Sequence, residues 1–299
     1  MLGVRAASAI ILAPPLVAVA LLGEPWVSIV VGLMLFLAMV ELIGLLDAAG
    51  FEPPQVLVLV SGIAVAGAGL IVANGPGVGG VLSQLLRATE VPGLSVVTLA
   101  TASVFLGLAG FTRSDPVKGF ASWAAATFGV TYVALLGPFI AQVAHLGPTG
   151  GSADTAVGIL SLRAGTAWVL LLVLIVWGYD TGAYLTGRWI GRRRLIDHIS
   201  PSKTVEGLAG GLILGTLGAG IGCALVGLAP WHPLVIGPLI GLTAQAGDLA
   251  ESMLKRAAGR KESGFLVPGH GGILDRLDSF LFAAPMLTAY ALLIAGATA

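Results

Sequence analysis

GDLAESMLKRAAGRKESGFLVPGHGGILDRLDS, residues 247–279, concentrates charge and glycine in a chain that is otherwise close to pure hydrocarbon. It holds five of the fifteen basic and five of the fifteen acidic residues of a 299-residue sequence in which only 10% of positions are charged. Asp248, Glu251, Ser252 and Lys255 fall at i, i+3, i+4 and i+7, so a helix continuing out of the preceding apolar run places all four on one face. Asp275 and Asp278, three apart just before another apolar run, belong together on the first turn of the next helix, with Arg276 and Ser279 beside them. Between the two carboxylate pairs lies PGHGG, residues 268–272, whose glycines permit a tight, exposed backbone. A charged segment beside a membrane helix is ordinarily a solvated loop whose cations set orientation. That explanation needs lysine and arginine, not acids in helix register. Carboxylates, cations and glycine-rich backbone together suit a divalent metal and phosphate groups.

Outward from this stretch, 57% hydrophobic residues and a mean hydropathy of +0.98 exclude a soluble globule, for which about 25% charged residues is usual. The expected fold is all-α, a polytopic integral membrane protein with about nine transmembrane helices. The apolar runs end or lie at residues 22, 26–46, 55–72, 94–111, 120–146, 166–186, 205–228, 234–248 and 280–297. Ala18 to Ala20 resembles a signal-peptide cleavage site, but the span count favours a retained first run. With the amino terminus in the cytoplasm, the connections 47–54, 112–119, 187–204 and 250–279 are cytoplasmic. Thirteen of the fifteen Lys and Arg then lie inside, and only Arg87 and Arg163 lie outside. Residues 1–165 read as an amino-terminal set of five spans, and residues 166–299 as the catalytic region with its cytoplasmic loop. Zero net charge gives no field that recruits nucleic acid, and the single Cys223 excludes an internal disulfide.

Two carboxylates fall inside apolar runs. Glu41, near the end of the second, reads either as a side chain snorkelling to the helix end or as part of a polar network or substrate path. Asp180, in the sixth, shares a face with Tyr184 and is followed one turn later by Arg188. An unpaired carboxylate there costs several kcal/mol, so Asp180 is expected to face a polar cavity or a cation. In the seventh run Gly211 with Gly215, and Gly218 with Gly222, form two small-xxx-small pairs of the kind that let helices approach closely.

Ser252, Lys255, Arg256, Lys261, Pro268, His270, Gly271, Gly272, Asp275, Arg276 and Asp278 together resemble the signature of the bacterial phosphatidate cytidylyltransferases, or CDP-diacylglycerol synthases. One fixed position departs: Glu262 stands where that family carries aspartate. The likeness extends to VRAASAIILAPPL at 4–16, DTGAYLTGR at 180–188 and SPSKTVEG at 200–207. The last of these differs from the commoner family form at Ser202 and Val205 and keeps Lys203, Thr204, Glu206 and Gly207.

The resemblance implies transfer of a cytidylyl group from CTP to phosphatidic acid, giving CDP-diacylglycerol and pyrophosphate for phospholipid biosynthesis. It implies a multi-pass protein of the cell's inner membrane with its site facing the cytoplasm. Mg²⁺ is the expected cofactor, held first by Asp248 and Asp275 and supported by Asp278 and Asp180; a second cation is left open. Lys255, Arg256, Lys261, Arg276 and Lys203 are expected to hold phosphates, and His270 to donate to one. Ser202, Thr204, Glu206, Ser252, Gly271, Gly272, Asp180 and Tyr184 complete the expected substrate-binding set. Asp248 and Asp275 are expected to converge on one metal, against the plainer alternative of ion pairs with Lys255 and Arg276. The expected partners are the two substrates and membrane lipids, with a homodimer left open. The alternatives are a cytidylyltransferase or kinase acting on another lipid, and an ion-coupled transporter lined by Asp180 and Asp248.

Overall fold

The computed structural model describes residues 14–15, 17–73, 94–148, 153–266 and 271–297. Helix dominates it. The elements are α1 (Trp26–Ala48), α2 (Gln55–Ala73), α3 (Leu94–Gly110), α4 (Pro116–Gly129), a π-helical turn (Val130–Leu135), α5 (Pro138–Gln142), α6 (Ala164–Ile190), α7 (Val205–Val226), α8 (Pro233–Ala257) and α9 (Leu274–Ala297). Two antiparallel hairpins join some of them: β1 (Ala156–Val157) with β2 (Leu162–Arg163), and β3 (Arg194–Ile196) with β4 (Ser200–Thr204).

Among the described residues, six helical segments are long and apolar enough to cross a membrane: α1, the continuous stretch Pro116–His145, α6, α7, α8 and α9. The 23 residues of α1 extend about 35 Å at 1.5 Å each, against a hydrocarbon core of about 30 Å. Two further helices, α2 and α3, are apolar but shorter. The protein is an all-helical integral membrane protein. The count of nine spans remains a reading of the sequence, because most of the first run lies outside the described residues. Near the charged stretch the helices outrun the apolar segments. α8 continues to Ala257 and α9 begins at Leu274, so Asp248 and Glu251 are helical and Asp275 and Asp278 head α9, as their spacing requires.

The chain divides into two compact units, each assembled from separated segments. One comprises residues 24–142 with 254–277. Within it, α4 starts from Asp115, whose carboxylate accepts from the Val117 and Lys118 N–H groups, with Pro116 supplying the fixed φ of a first helical residue. Arg113 pairs with Glu52 at 2.6 Å and also donates to the Glu52 carbonyl, while Ser122 Oγ donates to that same carbonyl. These contacts tie the α1–α2 and α3–α4 connections together, as expected if both emerge on one side of the membrane.

The other unit comprises residues 12–23, 143–253 and 278–299. Its centre is the α6–α7 pair. A Cβ placed on Gly211 would lie 2.8 Å from the Tyr179 ring, and one on Gly218 would collide with the Leu174 carbonyl oxygen. The small-xxx-small reading therefore holds: backbone meets backbone where a larger residue would wedge the helices apart. The opposite stripe of α7, Ile213, Leu217 and Ile221, is 64%, 62% and 59% exposed, an apolar surface unsuited to water. The polar stretch after α5 contains the β1–β2 hairpin, whose Ile159 N–H donates to the Ala224 carbonyl. Arg163, one of the two cations assigned to the outside, donates to the Leu21 and Leu22 carbonyls, and Thr166 Oγ1 donates to that of Ala20. A cation on the last carbonyls of a helical stretch answers both their orphan acceptors and the helix dipole.

Candidate active site

Lys203 sits on β4 and is presented by a hairpin with several fastenings. The Arg194 guanidinium donates to the Pro201 carbonyl, and the Arg192 and Arg193 N–H groups donate to Glu206 Oε2 at 3.0 and 3.2 Å. Thr204 is the N-cap of α7, its hydroxyl accepting from the Gly207 N–H at 3.0 Å. Of the expected substrate-binding set, Thr204 and Glu206 are thus engaged in building the hairpin and helix start. Ser202 and Tyr184 are exposed, and Tyr184 accepts from Arg188 one turn on.

The Lys203 ammonium lies 2.7 Å from Asp248 Oδ2. Burial works to lower its pKa, but the charge and hydrogen bond of Asp248, with the charges of Asp180 and Asp278, outweigh that and hold it above its ordinary value. Three carboxylates from α6, α8 and α9 therefore bear on one cation. Asp278 is brought in by Gly247: a Cβ there would run into the Asp278 carbonyl oxygen, so only glycine allows this approach of α8 to α9.

Behind Asp248 runs a buried relay absent from the sequence reading. The Tyr179 hydroxyl donates to Gln245 Oε1 at 2.9 Å, and Gln245 Nε2 donates to Asp248 Oδ2 at 3.2 Å. Tyr179 is completely buried and Gln245 nearly so. Both partners of Asp248 approach Oδ2, which leaves Oδ1 without one among the described residues. One signal was available: Gln245 is an amide inside an apolar run, three residues before Asp248 and hence on its face.

Asp275, on the first turn of α9, has different surroundings. Its Oδ1 meets Lys255 Nζ at 2.6 Å, and its Oδ2 accepts from the Ser263 N–H and hydroxyl, both at 2.9 Å, and from the Gly272 N–H at 2.8 Å. Asp275 thus pairs with Lys255, while the lysine facing Asp248 is Lys203. Gly271 has φ +77°, and a Cβ there would press on Asp275 Oδ2 at 2.5 Å, which explains glycine at that position.

Glu41 does not snorkel. It is 8% exposed and accepts from the Ser263 hydroxyl, the Ile273 N–H and the Leu274 N–H. Of the remaining expected residues, Ser252 is buried on α8, and Arg256, Lys261, Glu262 and Arg276 are exposed. Pro268 and His270 lie outside the described residues.

Among the described residues, no three His, Cys, Asp or Glu side chains are grouped closely enough to form a metal site outright. The donor chemistry nonetheless suits Mg²⁺, which takes carboxylate oxygens and substrate phosphates. Among the described residues, one Asp248 oxygen has no partner, at a place where the fold already holds positive charge. Asp275 accepts from Lys255 on one oxygen and from the Ser263 and Gly272 N–H groups on the other, which also lies beside the Ser263 hydroxyl that it shares with Glu41.

A sequence model described as "Cytidylyltransferase family" matches residues 3–294. The chain is 46% identical over 136 residues to a phosphatidate cytidylyltransferase of Synechocystis, covering 44% of this chain and 45% of that protein. It is 44% identical over 126 residues to the enzyme of that name in Bacillus subtilis, covering 41% and 46%. A Staphylococcus saprophyticus protein of the same name is 46% identical over 125 residues, covering 41% and 48%. The matched portion thus spans about half the length of these curated relatives.

Proposed function

Because the chain belongs to the cytidylyltransferase family, we propose that it joins CTP to phosphatidic acid, releasing pyrophosphate and forming CDP-diacylglycerol. A lipid phosphate oxygen forms a bond to the α-phosphorus of CTP while the bond from that phosphorus to the bridging oxygen of pyrophosphate breaks. No general base is required, because a phosphate monoester is already substantially ionised near neutral pH. Positioning and neutralisation of charge supply the catalysis.

The observation that carries this reading is the placing of Lys203 against Asp248, with Asp180 and Asp278 bearing on the same cation, on the elements that match the family's sequence. Lys203 and Lys255 are the ammonium groups held in place by aspartates, and Arg256, Lys261 and Arg276 are exposed cations suited to phosphate oxygens. Asp248 and Asp278 are the carboxylates proposed to hold Mg²⁺, which when bound neutralises charge on the triphosphate and on the departing pyrophosphate, and Asp275 is proposed to hold the Lys255 ammonium and the Gly272 backbone for the phosphates. Tyr179 and Gln245 fix the orientation of the Asp248 carboxylate. The site is proposed to face the cytoplasm of the inner membrane, on the charge asymmetry of the connections.

Purified protein in lipid–detergent micelles, given phosphatidic acid and cytidine-labelled CTP, is expected to move label into the lipid phase and release pyrophosphate in equal amount. No label in lipid with phosphatidic acid, but label with a different phospholipid or polyprenyl phosphate, would reassign the substrate. No transfer to any lipid would remove the reading.

A further inference from the structure

Glu41 lies in α1, more than two hundred residues before the charged stretch, and the reaction as described gives it no task. Its carboxylate is among the most fully engaged in the described structure. Oε1 accepts from the Ile273 N–H at 3.0 Å, and Oε2 accepts from the Leu274 N–H and the Ser263 hydroxyl, both at 2.9 Å. The first N–H groups of a helix have no intrahelical acceptor, and α9 begins at Leu274, so a carboxylate from another helix caps it. The fit is close on two further sides. A Cβ on Gly264 would collide with Oε1, and one on Gly272 with Oε2.

The same hydroxyl that meets Glu41 also reaches Asp275. Ser263 Oγ is 2.9 Å from Glu41 Oε2 and 2.9 Å from Asp275 Oδ2, so the two carboxylates share its single proton, and the Gly272 N–H donates to Asp275. Glu41 and Asp275 therefore grip Ser263 and the 271–274 backbone from two sides. At 8% exposure Glu41 is placed to hold this backbone, and not to meet a substrate.

We propose that Glu41 is a positioning residue for the transfer reaction: by capping α9 and holding Ser263, it fixes Gly271, Gly272 and Asp275 where substrate phosphates are received. This rests on the function proposed above, in which Asp275 and its neighbours take part in handling CTP. It gives the amino-terminal half of the chain a direct part in the chemistry of the carboxy-terminal half.

The test is Glu41→Gln in the full-length protein, beside wild type and Asp275→Asn. Glutamine keeps the shape but replaces one acceptor oxygen by a donor, so in either orientation it opposes at least one of the two capped N–H groups. Glu41→Gln is expected to elute as folded protein and to lose about a hundredfold in kcat, the order of loss for a misplaced reacting group, with KM for phosphatidic acid changed less than about twofold. Amide exchange at Ser263, Ile273 and Leu274 should rise while that in the middle of α1 does not. Wild-type kcat per folded molecule, or a loss of activity matched by loss of folded protein with exchange at those amides unchanged, overturns the proposal. If Asp275→Asn is inactive and Glu41→Gln fully active, the assignment of Glu41 alone fails. If Asp275→Asn turns over normally, the reading of this stretch fails and takes the proposal with it. Should Glu41→Gln not fold, Gly264→Ala carries the same test, because its methyl group presses on Glu41 Oε1.

Discussion

Asp248 meets Lys203 at 2.7 Å and Asp275 meets Lys255 at 2.6 Å, yet the surroundings of the two pairs differ in kind. The side chains of the first pair are 26% and 21% exposed, and those of the second 12% and 11%. Among the described residues, Asp248 takes both its contacts on one oxygen, from side chains, and has none on the other. Asp275 is embedded in backbone: two N–H groups and a hydroxyl converge on one oxygen while lysine takes the other. An aspartate held by side chains can exchange a partner at modest expense. One held by backbone N–H groups cannot let go without moving the chain. The difference teaches that similar ion pairs here do unlike work, one keeping a cation at an accessible carboxylate and the other shaping a turn.

The sharpest way to break this comparison is to neutralise each aspartate in turn. Both Asp248→Asn and Asp275→Asn are expected to lower CTP turnover by orders of magnitude, since several kcal/mol of charge stabilisation is at stake. They should part in stability. Asp275→Asn removes the negative charge from an ion pair in a nearly buried site that is also tied to two backbone N–H groups, and is expected to cost about 3 kcal/mol, whereas Asp248→Asn should cost less than about 1 kcal/mol. Thermal unfolding of the detergent-solubilised variants measures both, and equal losses would erase the distinction.

A smaller effect is expected from the relay behind Asp248. Tyr179→Phe removes one buried donor and leaves Gln245 Oε1 unsatisfied, for a loss of about 1–2 kcal/mol in stability and a few-fold fall in kcat. A kcat indistinguishable from wild type would show that Asp248 needs no such orientation.

The least effect over the working range comes from pH. The folded-state pKa of Lys203 lies above its ordinary 10.5, so the stability it contributes is fully present below that value and is lost only as pH rises through the higher folded pKa. The difference in unfolding midpoint between wild type and Lys203→Met is expected to stay constant from pH 7 to about pH 10 and to shrink above it. A difference that already narrows below pH 9 would contradict the compensation of burial by Asp248, Asp180 and Asp278.

What the sequence made legible follows from period and charge. Apolar runs of span length placed most of the described helix ends within a few residues of where they lie, except beside the charged stretch, where α8 runs on to Ala257 and α9 starts at Leu274; the helix register of Asp248 with Glu251 and of Asp275 with Asp278 holds. The glycine pairs of α7 were readable because only close packing asks for small residues at that spacing. Partner choice was not readable. Lys255 was a candidate for either aspartate by proximity in sequence, and assigning Lys203 to Asp248 requires knowing how the β3–β4 hairpin folds back. For Glu41 the polar-network alternative is the one that holds, but its partners were not readable, because depth in a hydrophobic run does not reveal that the orphan N–H groups of another helix wait beside it. Ser263 carried no signal, being a serine among small residues of a loop.

The glycine seam between α6 and α7 bears on the order in which the protein assembles. Helices that meet through glycine Cα atoms and carbonyl oxygens immobilise few side-chain rotamers on docking, so little conformational entropy opposes the step. The two helices are also neighbours in sequence, joined by only the β3–β4 hairpin, so the loop to be closed is short. Such a pair can dock as soon as both helices are inserted, ahead of contacts that wait for the distant ends of the chain. Lys203 rides on the hairpin that joins them, so the site's central cation is delivered by the segment with the least assembly left to do.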